Sequence, residues 1–145
     1  MSSQTSSFLP GQQRLDVQQL SFTERVQLGA ENAVRCLGVT ASDRVFIITD
    51  YERENIARHV AAAVLDRHAD VTVHFLEHYA ERPLTFFPND LRHDLIEARP
   101  TVTYYIATAQ PGEITFRLPL LPFLAQDLKV RHGHMIGIDE RLMAD

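Results

Sequence analysis

The sequence has no tryptophan, one cysteine and only six glycines in 145 residues. A lone Cys36 cannot close an intrachain disulfide, which sets the chain apart from small secreted scaffolds held by such bridges. A reducing, cytoplasmic setting is the matching expectation. The few glycines form no P-loop and no G-x-G-x-x-G after an apolar strand, and H-E-x-x-H and G-x-S-x-G are missing too. Positive charge is also short: 14 Lys and Arg against 19 Asp and Glu leave a formal charge of −5. That balance argues against a protein that grips nucleic acid along its phosphates. No apolar run approaches the roughly 20 residues that a membrane helix needs. Neither nucleic acid nor membrane is expected as a partner.

What is present is a chain with 45% hydrophobic and 23% charged residues. That mixture is too apolar for wholesale disorder and suits one compact domain with a core. Seven histidines would carry the formal charge from −5 to +2 if all took up protons.

Residues 1–20 read as a flexible or irregular segment, polar at first, with a turn at Leu9-Pro10-Gly11. Residues 21–145 read as a single α/β domain. Ser21 and Glu24 have capping-box spacing, and Phe22, Val26, Ala30, Ala33, Val34 and Leu37 recur on one helical face. Gly38 suits the left-handed end of that helix. Val45–Thr49 is an apolar, β-branched run, as in a strand buried on both faces. Asp50 then caps a helix with Ile56, Val60 and Val64 inward. Val71–Leu76 alternates with Thr72 and His74, which suits a strand near the sheet edge. Asn89–Ala98 is a helix with Leu91, Leu95 and Ile96 inward, ended by Pro100. Val102–Ala107 is a third strand. A helix is expected from about Leu121 to Lys129, because Pro122 is best tolerated in a first turn. His134–Ile138 forms a fourth strand, and Asp139 can cap a last helix. Alternation of this kind gives a mostly parallel sheet with helices on both faces. The expected fold is a small doubly wound sheet of four strands in the order 2-1-3-4.

The stretch from Gly38 to Asp50, GVTASDRVFIITD, resembles the opening of the N-terminal α/β domain of aminopeptidase T-related metallopeptidases. His134–Met143, HMIGIDERLM, is similar to a second segment of that domain, although Ile136 stands where the family usually has proline. Thr115 and Arg117 fall where the family often has a T-x-A-R-like stretch. The resemblance spans about residues 21–145. It implies an α/β domain whose relatives carry their metal and catalytic residues in a large following domain. It therefore assigns no catalytic or metal residue to this chain, and no cofactor is expected.

Ligands of open α/β sheets bind outside the carboxyl ends of the strands, where the strand order reverses. In the order 2-1-3-4, Asp50, Tyr51, Thr108 and Gln110 follow the two strands at that point and are the candidate ligand-binding residues. The Thr49-Asp50-Tyr51-Glu52 run places acids where a phosphate needs glycine and free N–H groups, which disfavours a nucleotide. Equally, Asp50 can be a simple helix cap and Gln110 a turn residue. His132 and His134 share one face of a strand and are weak metal candidates lacking a third ligand. Leu118, Leu120, Leu121, Phe123 and Leu124 make an apolar segment interrupted by Pro119 and Pro122. It is either core or an interface patch.

The leading expectation is a non-catalytic domain that binds a peptide or partner protein and forms a homodimer. The alternatives are a fragment of a working metal-dependent aminopeptidase, and a small enzyme using Asp50 with a histidine.

Overall fold

A computed structural model describes residues 21–136 and Met143. The Ser21 hydroxyl accepts from the Glu24 N–H at 3.1 Å, and the Glu24 carboxylate accepts from the Ser21 N–H at 3.0 Å. This reciprocal cap opens α1 (Phe22–Cys36), which buries Val26, Ala30 and Val34. Gly38 follows at φ +63°, a left-handed turn that favours glycine. The strands are β1 (Arg44–Thr49), β2 (Asp70–Phe75), β3 (Val102–Ala107) and β4 (Arg131–Ile136). The remaining helices are α2 (Glu54–Asp66), α3 (Asn89–Ala98) and α4 (Ile114–Pro122). All strand pairs are parallel, in the order β2-β1-β3-β4. Among the described residues, no helix is long and apolar enough to cross a membrane.

Strand alternation divides the interior in two. Val45, Ile47, Val102, Tyr104 and Ile106 point to one face and pack with the apolar sides of α1 and α2. Phe46, Ile48, Tyr105 and Ala107 point to the other and pack with α3, α4 and Leu84. β1 and β3 are central, so both of their faces are covered, and every residue of the two strands but Arg44 is buried. Gly133 on β4 serves a close approach: a Cβ there would stand 2.7 Å from Cδ1 of Tyr104. The space it leaves holds the Tyr104 ring, whose hydroxyl donates to the Ala33 carbonyl at 2.9 Å.

Three expectations need correction. α4 starts at Ile114, well before Leu121, and carries Pro119 and Pro122 inside it. An interior proline costs a helix about 3 kcal/mol. Burial of Phe116, Leu120, Phe123 and Leu124 against β3 and the loops offsets that cost. Past the prolines the turn widens to a π-helical turn over Phe123–Asp127, closed by the Leu128 N–H on the Phe123 carbonyl at 3.0 Å. Ile96 is 51% exposed. It lies about 100° around the helix from Leu95 and so leaves the face that Leu91 and Leu95 share. β4 begins at Arg131, three residues early, because the Arg131 N–H donates to the Thr101 carbonyl at 3.1 Å and sets the register with β3. His132 and His134 are therefore within the strand. The expected irregular segment at 1–20 and the last helix from Asp139 fall outside the described residues, Met143 excepted.

Candidate functional site

The strand order reverses between β1 and β3, and there the chain places charge in its interior. Asp50, at the end of β1, is fully buried. Its Oδ1 accepts from the Arg53 N–H at 2.8 Å, capping a short 3-10 turn that leads into α2. Its Oδ2 accepts from the Thr108 N–H at 2.8 Å and the Thr108 hydroxyl at 2.6 Å. The third donor to Oδ2 is Nη1 of Arg82 at 2.5 Å. Arg82 comes from the loop between β2 and α3, and its guanidinium forks onto Glu113 just before α4. Nε reaches Oε2 at 2.9 Å and Nη2 reaches Oε1 at 2.6 Å. Glu113 also accepts the Leu84 N–H at 2.9 Å. A third carboxylate, Glu77, stands 3.7 Å from Arg82 and accepts the Tyr51 N–H at 3.2 Å.

Of the four strand-end candidates, the structure thus joins Asp50 and Thr108 directly. Tyr51 is exposed, and its ring leans on Phe75 and His78 at the rim. Gln110 is half-buried, and its carbonyl accepts the Glu113 N–H in the turn before α4. Arg82, Glu113 and Glu77 were not foreseen. Arg82 and Glu77 sit in a loop without periodicity, and Glu113 precedes a helix that the prolines disguise. A buried Asp at a strand end needs a cation, which is the one general signal that pointed to an arginine.

Chemically the crevice is saturated. Burial pushes the Asp50 carboxyl up, but hydrogen bonds from Thr108, Arg82 and Arg53 outweigh it and hold it below the usual range. Glu113 and Asp50 in turn hold the Arg82 guanidinium firmly charged against its burial. A carboxylate so engaged is a poor general base, since a base works best with a pKa near the operating pH.

His132 and His134 face the α4 side of the sheet. Nδ1 of His132 meets the Thr103 hydroxyl at 2.7 Å, and its Nε2 meets Nδ1 of His134 at 3.1 Å. No group of three or more His, Cys, Asp or Glu among the described residues is arranged to hold a metal. Burial, and then the Arg117 charge, oppose protonation of His134, and that charge would oppose a metal cation likewise. Among the described residues the two histidines therefore lack a third ligand. Burial, and then His134, push His132 down to about 4.

The apolar segment is divided by α4. Leu120, Phe123 and Leu124 lie in the core, whereas Leu118 is 62% exposed and Leu121 is exposed beside it. Ile114, 51% exposed, completes a stripe at positions i, i+4 and i+7 on the outer face of the helix.

Stability should fall on acidification in two stages. His132, His134 and His74 all titrate lower in the folded chain than the roughly 6.5 of an unfolded histidine. Below about pH 6.5 the unfolded state binds more protons, so stability is lost toward the folded values. Asp50 and Asp43 are also depressed, so their contribution persists until the pH falls below about 4. Urea midpoints measured from pH 7.5 to 3 should show both stages, and His132→Asn should remove much of the first. A flat profile down to pH 4 would refute the histidine assignment.

Among solved structures, the fold is similar to wild-type AmpT from Thermus thermophilus, with a TM-score of 0.54 and 15% sequence identity. The match covers 86% of this chain and 41% of that one, so the chain spans less than half the length of AmpT. At this identity the likeness shows the fold alone, an α/β fold of the aminopeptidase T type. No protein-family profile matches the sequence, and no curated protein gives a significant match.

Proposed function

We propose that the chain is a non-catalytic interaction domain of the aminopeptidase T type that holds a peptide or partner protein. The observation that carries this reading is the exposed apolar stripe of Ile114, Leu118 and Leu121 on α4. Apolar surface gathered in this way marks a contact site. The saturated crevice supports the same reading, because every oxygen of Asp50 and Glu113 already has a donor within the fold. It also speaks against an enzyme built on Asp50 and a histidine. A second copy is the simplest partner, since a two-fold pairing lets one stripe cover another.

A second reading makes the chain one domain of a larger metal-dependent aminopeptidase. The match to only 41% of AmpT favours it. The stripe then faces the rest of that enzyme.

Light scattering on the purified chain at micromolar concentration should give a dimer mass. Leu118→Lys should give a monomer that melts within a few degrees of the parent. A parent that is monomeric, and that retains no peptide from a mixed library, would overturn the interaction reading. Turnover of a leucyl chromogenic substrate with zinc or cobalt, abolished by a chelator, would overturn the non-catalytic part. We expect none.

A further inference from the structure

A second set of polar groups lies on the α4 side of β3 and β4, apart from the Arg82 network. Tyr105 is wholly buried, yet its hydroxyl has no hydrogen-bond partner. Nη1 of Arg117, from α4, is buried and unpartnered as well. The Arg117 charge acts on both the Tyr105 hydroxyl and the His134 ring. The His134 ring stacks on Tyr105, with centroids 5.0 Å apart and planes 19° from parallel. Among the described residues no carboxylate pairs with Arg117. Glu113, the carboxylate that acts on Tyr105, has its oxygens on Arg82 and the Leu84 N–H.

We propose that Tyr105, Arg117 and His134 form a binding site for a small oxyanion, a carboxylate or a phosphate group, entered from the β4 edge. The donor inventory carries it. Nδ1 of His132 pairs with the Thr103 hydroxyl, and its Nε2 pairs with Nδ1 of His134, so Nε2 of His134 lies outside the pair. With its proton on Nε2, His134 adds a donor to the Tyr105 O–H and the Arg117 N–H. Two of these groups, the Tyr105 hydroxyl and Nη1 of the permanently charged Arg117, are buried with no partner among the described residues. Buried donors in that state are costly, and an acceptor-only anion satisfies all three. His134 is exposed and gives access from solvent. The site is independent of the α4 stripe and stands or falls separately from the interaction reading.

The test uses the whole chain in anion-poor buffer, titrated with sodium acetate or sodium phosphate, with sodium chloride as the ionic-strength control. Imidazole nitrogen resonances of His134 should shift saturably, with a Kd on the order of 1 mM. Arg117→Gln should abolish the shift, and Arg58→Gln, on the exposed side of α2, should leave it unchanged. Tyr105→Phe supplies a reading that a purely structural tyrosine would not give. Without anion it should melt at or above the parent, because it removes an unpaired hydroxyl. With saturating anion the parent should melt higher, by about 3 °C. Response to phosphate alone would assign a phosphorylated ligand. Response to acetate and to glycylglycine, but not its amide, would assign a peptide carboxylate. No saturable shift in the parent, or an equal shift in Arg117→Gln, would overturn the proposal.

Discussion

Arg82→Met is expected to destabilise the domain by about 3–5 kcal/mol, the usual cost of removing one partner from a buried ion pair. The side chains of Asp50 and Glu113 are both fully buried, and Arg82 is the cation that bridges them. Without it, two carboxylates face each other's field with only N–H and hydroxyl donors left. They must take up protons or draw in water. Domains of ordinary size are stable by about 5–15 kcal/mol in total, so the loss is a large share. Arg82→Lys should fall between the two, because one ammonium cannot make the fork onto Glu113. Adding Asp50→Asn and Glu113→Gln to Arg82→Met should recover much of the loss. Urea unfolding gives these values directly. An Arg82→Met protein within about 1 kcal/mol of the parent, the scale of an exposed ion pair, would show that the network contributes no more than a surface pair.

Val60→Asp is expected to be at least as damaging. Val60 is fully buried at the centre of the α2 face, among Ile56, Ala57 and Val64. An aspartate there loses the packing of the valine and buries a group with no partner. Even neutralised by a raised pKa, it costs several kcal/mol, about 2–7 on transfer scales. Each kcal/mol lowers the melting temperature of a domain this size by about 2–4 °C. The variant should melt more than about 10 °C below the parent or be recovered insoluble. Melting within a few degrees of the parent would mean that this face of α2 is not in the core.

Those two sites differ in how far the sequence announced them. Val60 stands in a helix whose spacing, cap and flanking charges all agree, so its burial was legible. The same holds for β1, whose apolar run required a place in the sheet covered on both faces. Agreement failed where two rules competed. Around Leu118–Leu124, the prolines argued for a late helix start, and core packing outweighed them. At β4 the register was set by a backbone bond to Thr101, which no local pattern in 131–136 encodes. The strand-end rule found Asp50 and Thr108. It could not find Arg82 or Glu113, because nothing near either residue in the chain marks it as buried. Their meaning comes from partners 32 and 31 residues away.

That separation along the chain bears on time as well as on stability. Asp50 meets Thr108 across 58 residues. The contacts of Arg82 with Asp50 and Glu113, and of Asp50 with Thr108, therefore wait for long loops to close, whereas the caps of α1 and the turn after β1 form locally. We expect the network to assemble after the rate-limiting step of folding. Its loss would then leave the folding rate nearly unchanged and speed unfolding. On that account, a single guanidinium at the mouth of the sheet governs how long each folded molecule lasts once it has formed.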